Sequence, residues 1–170
     1  MLSNAHIEKI SEILHNQPDV QFAYLFGSQA TGKVTPMSDV DFALIFQDEL
    51  SARERLRLRL HVMALFSEVL QRNDIDVADL NEADEVLRYQ VLKHGRLIFC
   101  RDKAAQIEFF VRTLHEYFDT QPLREFFLEK MKEQIREGKF VGRSQRYAKA
   151  AEKAARVFGA FKVDRSKLQS

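Results

Sequence analysis

Apolar residues recur at intervals of three and four between Ser3 and His15, at Ile7, Ile10, Ile13 and Leu14. That period predicts an amphipathic helix, with Ser3 placed to cap its start and Pro18 marking its end. The pattern then changes. Gln21 to Phe26 is a short apolar run that reads as a buried strand, and Gly27-Ser28 turns the chain away from it. Residues 29 to 38 hold Gly32, Lys33, Thr35 and Pro36, which favour a loop or a single helical turn. A second strand, Asp39 to Phe46, opens on two acids and continues as the apolar Phe42-Ala43-Leu44-Ile45-Phe46, a composition suited to the middle of a sheet.

Between Leu50 and Arg72 the arginines at 53, 55, 57 and 59 alternate as they would on a strand, but only locally. Over the full length Leu56, Leu60, Met63, Phe66 or Ser67, and Leu70 follow a helical stripe, with Leu58, Val62, Leu65 and Val69 beside it, so a helix is expected. Its arginines read either as a phosphate-binding face or, more commonly for such patterns, as a solvated surface. Asp74 to Leu80 is a β-type run with three acids, Glu82 to His94 a helix ended by Gly95, and Arg96 to Cys100 a last strand. Two helices follow. Asp102 to Phe118 carries the stripe Ile107, Phe110, Val111 and Leu114, and Thr120 with Pro122 opens a second helix that Gly138 closes.

The alternation of helices with short strands predicts an α/β (α+β) fold, a small mixed sheet flanked by helices with a C-terminal helical extension. Residues 1–100 are read as the core, 101–138 as a helix pair packed on that core or on a partner, and 139–170 as a basic helical tail. That tail holds nine Lys or Arg against two acids, Glu152 and Asp164, although the whole chain carries only +1. Tyr147, Ala151, Ala154, Ala155 and Phe158 would give it an amphipathic face. The charge suits contact with RNA or an acidic partner, and equally a solvated helix.

With 170 residues, 45% hydrophobic and 30% charged, the chain has the profile of one ordinary globular domain with an appendage. Its N-terminal stretch lacks the layout of a signal peptide, and no apolar run approaches the ~20 residues of a membrane span. A cytoplasmic location without membrane contact is therefore expected. The single Cys100 lies in an apolar run and reads as a small buried side chain, while the five histidines show no ligand spacing.

The chemistry concentrates between Phe26 and Phe46. Asp39 and Asp41 are two residues apart, and on an extended segment they project to one face, roughly 6 to 7 Å apart. Two carboxylates that close repel unless a cation lies between them or one takes up a proton, and a hard ion such as Mg2+ is the natural third party. Gly27, lacking a Cβ, lets backbone N–H groups approach a phosphate, and Ser28 adds a hydroxyl. Asp76, near the start of its strand as Asp39 and Asp41 are near the start of theirs, is the candidate third acid. Asp79 is the alternate, because period-two geometry puts the two on opposite faces.

Gly27 to Lys33 also fits the first seven positions of a P-loop. The eighth fails, since Val34 stands where Ser or Thr must hold the metal, and Pro36 follows. The other pattern is Gly-Ser, ten residues, then Asp-x-Asp, met by Gly27-Ser28 and Asp39-Val40-Asp41, with an apolar strand before it, Ser38 beside the acids and an acidic strand downstream. It resembles the DNA polymerase beta-type nucleotidyltransferase superfamily, in its minimal nucleotidyltransferase branch, over about residues 20 to 100.

The resemblance implies that Gly27 and Ser28 hold a nucleoside triphosphate and that Asp39 and Asp41 ligate two Mg2+ ions. Asp76 would assist one metal or accept a proton. It implies transfer of AMP from ATP, and for this branch an antitoxin role: modification of a tyrosine of a partner HEPN-domain ribonuclease toxin. Two other functions stay open at this point, an aminoglycoside-type small-molecule nucleotidyltransferase and a catalytically inactive antitoxin that acts by forming a complex. Self-association is also left open.

Overall fold

A computed structural model describes residues 2–32 and 38–137. The expected turn residues Lys33, Thr35 and Pro36, the helix stop at Gly138 and the basic tail lie outside the described residues. The elements run α1 (Asn4–His15), β1 (Val20–Phe26), α2 (Gly27–Thr31), β2 (Val40–Phe46), α3 (Ala52–Leu70), β3 (Ile75–Asp79), α4 (Glu85–His94), β4 (Arg96–Cys100) and α5 (Lys103–Arg136). Two compact units divide the chain, Met1–Gln121 and Pro122–Ser170.

In the first unit four strands form one mixed sheet in the order β3-β2-β1-β4. β1 runs antiparallel to β2 and β4, and β2 runs parallel to β3. Helices cover both faces. On one, Ile7, Ile10 and Leu14 of α1 and Val62, Phe66 and Leu70 of α3 pack on Leu25, Phe42, Leu44 and Val77. On the other, Val91 of α4 and Phe109 of α5 meet Phe22, Tyr24, Ile45 and Leu80. Strand alternation carries a consequence for the polar residues: Phe42 and Leu44 belong to the α1/α3 face, so Asp41 projects to the α4/α5 face, and Asp76, between Ile75 and Val77, does the same.

Local chemistry explains most helix ends. Ser3 and His6 form a reciprocal capping box on α1, and Ser51 and Glu54 form another on α3. Asp84 accepts from Leu87 N at the start of α4. The stripe expected on α3 is displaced: Leu56 and Leu60 are 46% and 48% exposed, and the inward line is Val62, Phe66 and Leu70, with Leu58 and Met63 partly buried. The line extends back to Arg55, whose guanidinium reaches across to β3, so the first turns of α3 present a charge rather than a leucine to the core.

α5 corrects two expectations. It is a single helix with Pro122 inside it, not a pair. Proline costs one backbone hydrogen bond there, and the Thr120 hydroxyl bonds back to the Glu116 carbonyl at 3.0 Å one turn earlier. Its inward residues in the first unit are Gln106, Phe109 and Thr113, while Ile107, Phe110 and Val111 face outward. Polar contacts select that face: Gln106 Nε2 donates to the Tyr24 hydroxyl at 2.8 Å, and Phe109 meets Phe22 edge-on at 5.3 Å. In the second unit the described residues are helical, expose Leu123, Phe126, Phe127, Met131 and Ile135, and carry Lys130–Glu133 and Lys132–Glu129 pairs. Among the described residues no helix is long and apolar enough to cross a membrane. Cys100 is half-buried against the α4/α5 core.

Candidate functional site

The C-terminal end of β1 and the leading ends of β2 and β3 lie at one edge of the sheet, because β1 is antiparallel to β2 while β2 and β3 are parallel. Phe26 is the register partner of Asp41, and Asp41 is in turn the partner of Asp76. Neighbouring strands are ~4.8 Å apart, so the two carboxylates leave adjacent strands side by side on the same face. Asp39 is exposed one residue ahead of β2.

Gly27 closes this arrangement. It adopts a φ of +68°, and a Cβ built on it would overlap the Asp41 carboxylate, with Asp41 Cγ only 3.0 Å away. Any side chain at 27 would displace that carboxylate, so glycine is required twice, for its backbone conformation and for the close approach. Ser28 follows in α2, a five-residue helix that ends at Gly32, whose φ is +74°. Gln29, 2% exposed, accepts from Leu2 N at 3.1 Å and ties α2 to the N-terminal segment.

Burial, then the charge of Asp76, then that of Asp39, push the Asp41 carboxyl above the ordinary aspartate value. Burial is the larger cause, and the two neighbouring acids add to it. The donor set is all oxygen and acidic, as a hard divalent ion requires. Among the described residues no three His, Cys, Asp or Glu side chains converge into a ready-made metal cage. Mg2+ does not need one, since it keeps several waters and takes one or two carboxylates together with substrate phosphates. The residues fit such an ion.

The two alternates for the third acid part company. Asp76 is exposed beside Asp41, and its Oδ1 accepts from Val77 N at 2.9 Å. Asp79 lies at the far end of β3 with its side chain 7% exposed, held by Arg55 Nε at 2.9 Å, while Arg55 also binds Glu82 at 2.7 Å and the Leu50 carbonyl at 2.7 Å. Geometry therefore groups Asp76, not Asp79, with Asp39 and Asp41. It also turns Arg55 away from any phosphate-binding face on α3.

Sequence reasoning passed over Arg72, which binds Asp74 and the Ser38 carbonyl beside the acids. The signal was present in Arg72-Asn73-Asp74, a turn able to close an ion pair on itself. A cavity of about 460 Å³ lies elsewhere, at the opposite end of β2 and β3, lined by Asp48, Arg55, Asn81, Arg88, Arg112 and Glu116 among others. It includes none of the clustered acids, and two of its arginines pair with protein carboxylates, Arg88 with Glu116 at 2.9 Å and Arg55 with Asp79.

The family profile described as "Polymerase beta, Nucleotidyltransferase" matches residues 8–104. The protein adenylyltransferase MntA of Shewanella oneidensis is 30% identical over 122 residues, 71% of this chain and 84% of that protein. The protein adenylyltransferase MntA of Aphanizomenon flos-aquae is 27% identical over 104 residues, 56% of this chain and 67% of that protein. Among solved structures, a toxin–antitoxin complex with AMP-PNP matches with a TM-score of 0.62 at 27% identity, over 77% of this chain and 99% of that chain. A complex of tri-AMPylated Shewanella oneidensis HEPN toxin with MNT antitoxin matches with a TM-score of 0.60 at 25% identity, over the same shares.

Proposed function

Because the chain belongs to the polymerase beta nucleotidyltransferase family, in the branch of the MntA protein adenylyltransferases, we propose that it transfers AMP from ATP to a tyrosine hydroxyl of a partner HEPN-type ribonuclease toxin and so acts as its antitoxin. The observation that carries this reading is the side-by-side placement of Asp41 and Asp76, with Asp41 set against the Gly27 backbone. Similar proteins are named for the same activity, and similar solved structures contain an ATP analogue or an AMPylated HEPN toxin.

In the proposed reaction the acceptor oxygen attacks the α-phosphorus of ATP. The new O–P bond forms as the bond to the bridging α–β oxygen breaks, and pyrophosphate carries away the negative charge. Gly27 and Ser28 hold the triphosphate where the turn brings backbone close to it. Asp39 and Asp41 would hold Mg2+, one ion or two, which would supply positive charge against the negative charge that develops during transfer. Asp76, in register with Asp41 and open to solvent, shares a metal or takes the acceptor proton. Residues 1–100 form the catalytic core in this reading, and the helical segment beyond them faces the core or the toxin. The protein works in the cytoplasm, and the basic residues 139–170 provide a contact for RNA that filter binding at varied salt would detect.

The experiment combines the protein, labelled ATP, Mg2+ and the HEPN-type protein proposed as its partner. Label on a tyrosine of the partner supports the proposal, whereas label on an aminoglycoside alone assigns a small-molecule enzyme. Neutralisation that survives Asp39→Ala with Asp41→Ala supports an antitoxin acting through binding and contradicts the catalytic account.

A further inference from the structure

β3 is an edge strand, so a single strand, β2, pairs with it. It pairs with β2 in parallel, a slightly weaker pairing per residue, and its partner is reached through the whole length of α3. Asp76 is itself exposed, and its Oδ1 accepts from the backbone N–H of the next residue, Val77. Something must hold the leading end of β3 in register, because a slip of one residue would turn Asp76 to the opposite face.

Arg72 occupies the place where such a restraint is needed. Its Nε donates to Asp74 Oδ1 at 2.8 Å, its Nη2 donates to Asp74 Oδ2, and the same Nη2 donates to the Ser38 carbonyl at 2.8 Å. Val40 N adds a backbone bond to the Asp74 carbonyl at 2.9 Å. The guanidinium therefore bridges the residue just before Asp39 and the residue two before Asp76. The turn that delivers it is shaped for the purpose: Gln71 has a φ of +53°, a conformation non-glycine residues keep only where their surroundings impose it, and Arg72 N bonds back to the Ser67 carbonyl at 3.2 Å.

We propose that Arg72 is a positioning residue which, through Asp74 and the Ser38 carbonyl, locks the leading ends of β2 and β3 together and so sets the distance from Asp39 and Asp41 to Asp76. This rests on the reading of those acids as the transfer site. The fork matters as well as the charge, since two donors grip Asp74 while one of them also reaches Ser38. Lysine supplies the charge without that planar fork. Displacements of about 1 Å between catalytic groups cost on the order of 100-fold in rate.

The test uses Arg72→Ala, Arg72→Lys, Asp74→Ala and the Arg72→Ala/Asp74→Ala double variant in the full chain. Hydrogen exchange of the Val40 amide and the midpoint for Mn2+ binding, followed by electron paramagnetic resonance, are read without turnover; kcat and KM for ATP are read with the toxin. Expected are Val40 exchange about tenfold faster than in the wild type with the β1 amides unchanged, an Mn2+ midpoint raised about tenfold, and kcat lowered about 10- to 100-fold at nearly constant KM. Arg72→Lys falls almost as far as Arg72→Ala, and the double variant is no worse than either single one. Unchanged Val40 exchange and Mn2+ midpoint in Arg72→Ala overturn the proposal, as does a loss confined to KM, which would make Arg72 a phosphate contact, or full rescue by lysine. Absence of AMP transfer by the wild type is a separate result that refutes the proposed function, and the exchange and Mn2+ readings then decide the clamp on their own.

Discussion

Asp41→Asn makes the tension at the site measurable as stability. Asp41 and Asp76 are register partners on strands ~4.8 Å apart, so with the carboxylates ~5 Å from one another the Coulomb cost ranges from ~0.8 kcal/mol in water to ~3 kcal/mol at an effective dielectric constant of 20. The site is open to solvent on the Asp76 side, which places the cost at the screened end, about 0.5–1 kcal/mol. The folded state raises the Asp41 carboxyl above its ordinary value. Its ionised form is therefore penalised: the penalty is absent below the unfolded aspartate value, grows as pH rises through that value, and is complete above the raised folded one. At pH 7 without divalent ions Asp41→Asn should thus melt about 1–4 °C above the wild type, a gain that fades as pH falls below about 4. Mg2+ reverses the order. At ten times its dissociation constant it stabilises the wild type by about 1.4 kcal/mol and the variant by much less. Calorimetry at pH 3.5 and 7, with and without Mg2+, checks all four conditions. A variant less stable than the wild type at pH 7 in chelator, or equal Mg2+ stabilisation of both proteins, would refute the crowding argument.

Other substitutions separate the site from the scaffold. Gly27→Ala puts a methyl into the Asp41 carboxylate at a positive φ and should lose about 1–3 kcal/mol of stability together with nearly all transfer activity, measured by urea titration and by labelled AMP. Asp79→Ala leaves Arg55 without its buried carboxylate partner and should cost about 2–4 kcal/mol, while kcat of the protein that remains folded stays within about twofold of the wild type. Phe66→Ala should cost about 3–5 kcal/mol and Leu56→Ala less than about 1 kcal/mol, since only Phe66 lies in the core.

What the sequence made legible was whatever period and turn chemistry encode directly. The Ser3 cap and the strand at Arg96 to Cys100 follow from local pattern, whereas the shared face of Asp41 and Asp76 depends on how β2 and β3 pair. The inward faces of α3 and α5 were not legible in that way. Both helices carry more leucine, isoleucine and phenylalanine than the sheet has room to cover, so polar anchors choose which stripe turns in: Arg55 reaching Asp79 on α3, and Gln106 reaching Tyr24 on α5. Pro122 was legible as a helix start because that is its commonest helical place, but one lost hydrogen bond did not break α5. The contact of Gly27 with Asp41 and the grip of Arg72 on Ser38 join residues 14 and 34 positions apart, and such pairings depend on the order of strands in the sheet rather than on spacing.

The central claim is that this cluster of acids transfers AMP to a tyrosine of the HEPN partner. Mass spectrometry of that partner, after incubation with ATP and Mg2+ and either the wild type or the Asp39→Ala/Asp41→Ala variant, tests it directly. The account predicts tyrosine-linked AMP with the wild type, none with the variant, and loss of ribonuclease activity only where AMP has been added. Equal neutralisation by both proteins with no mass added to the partner would contradict it.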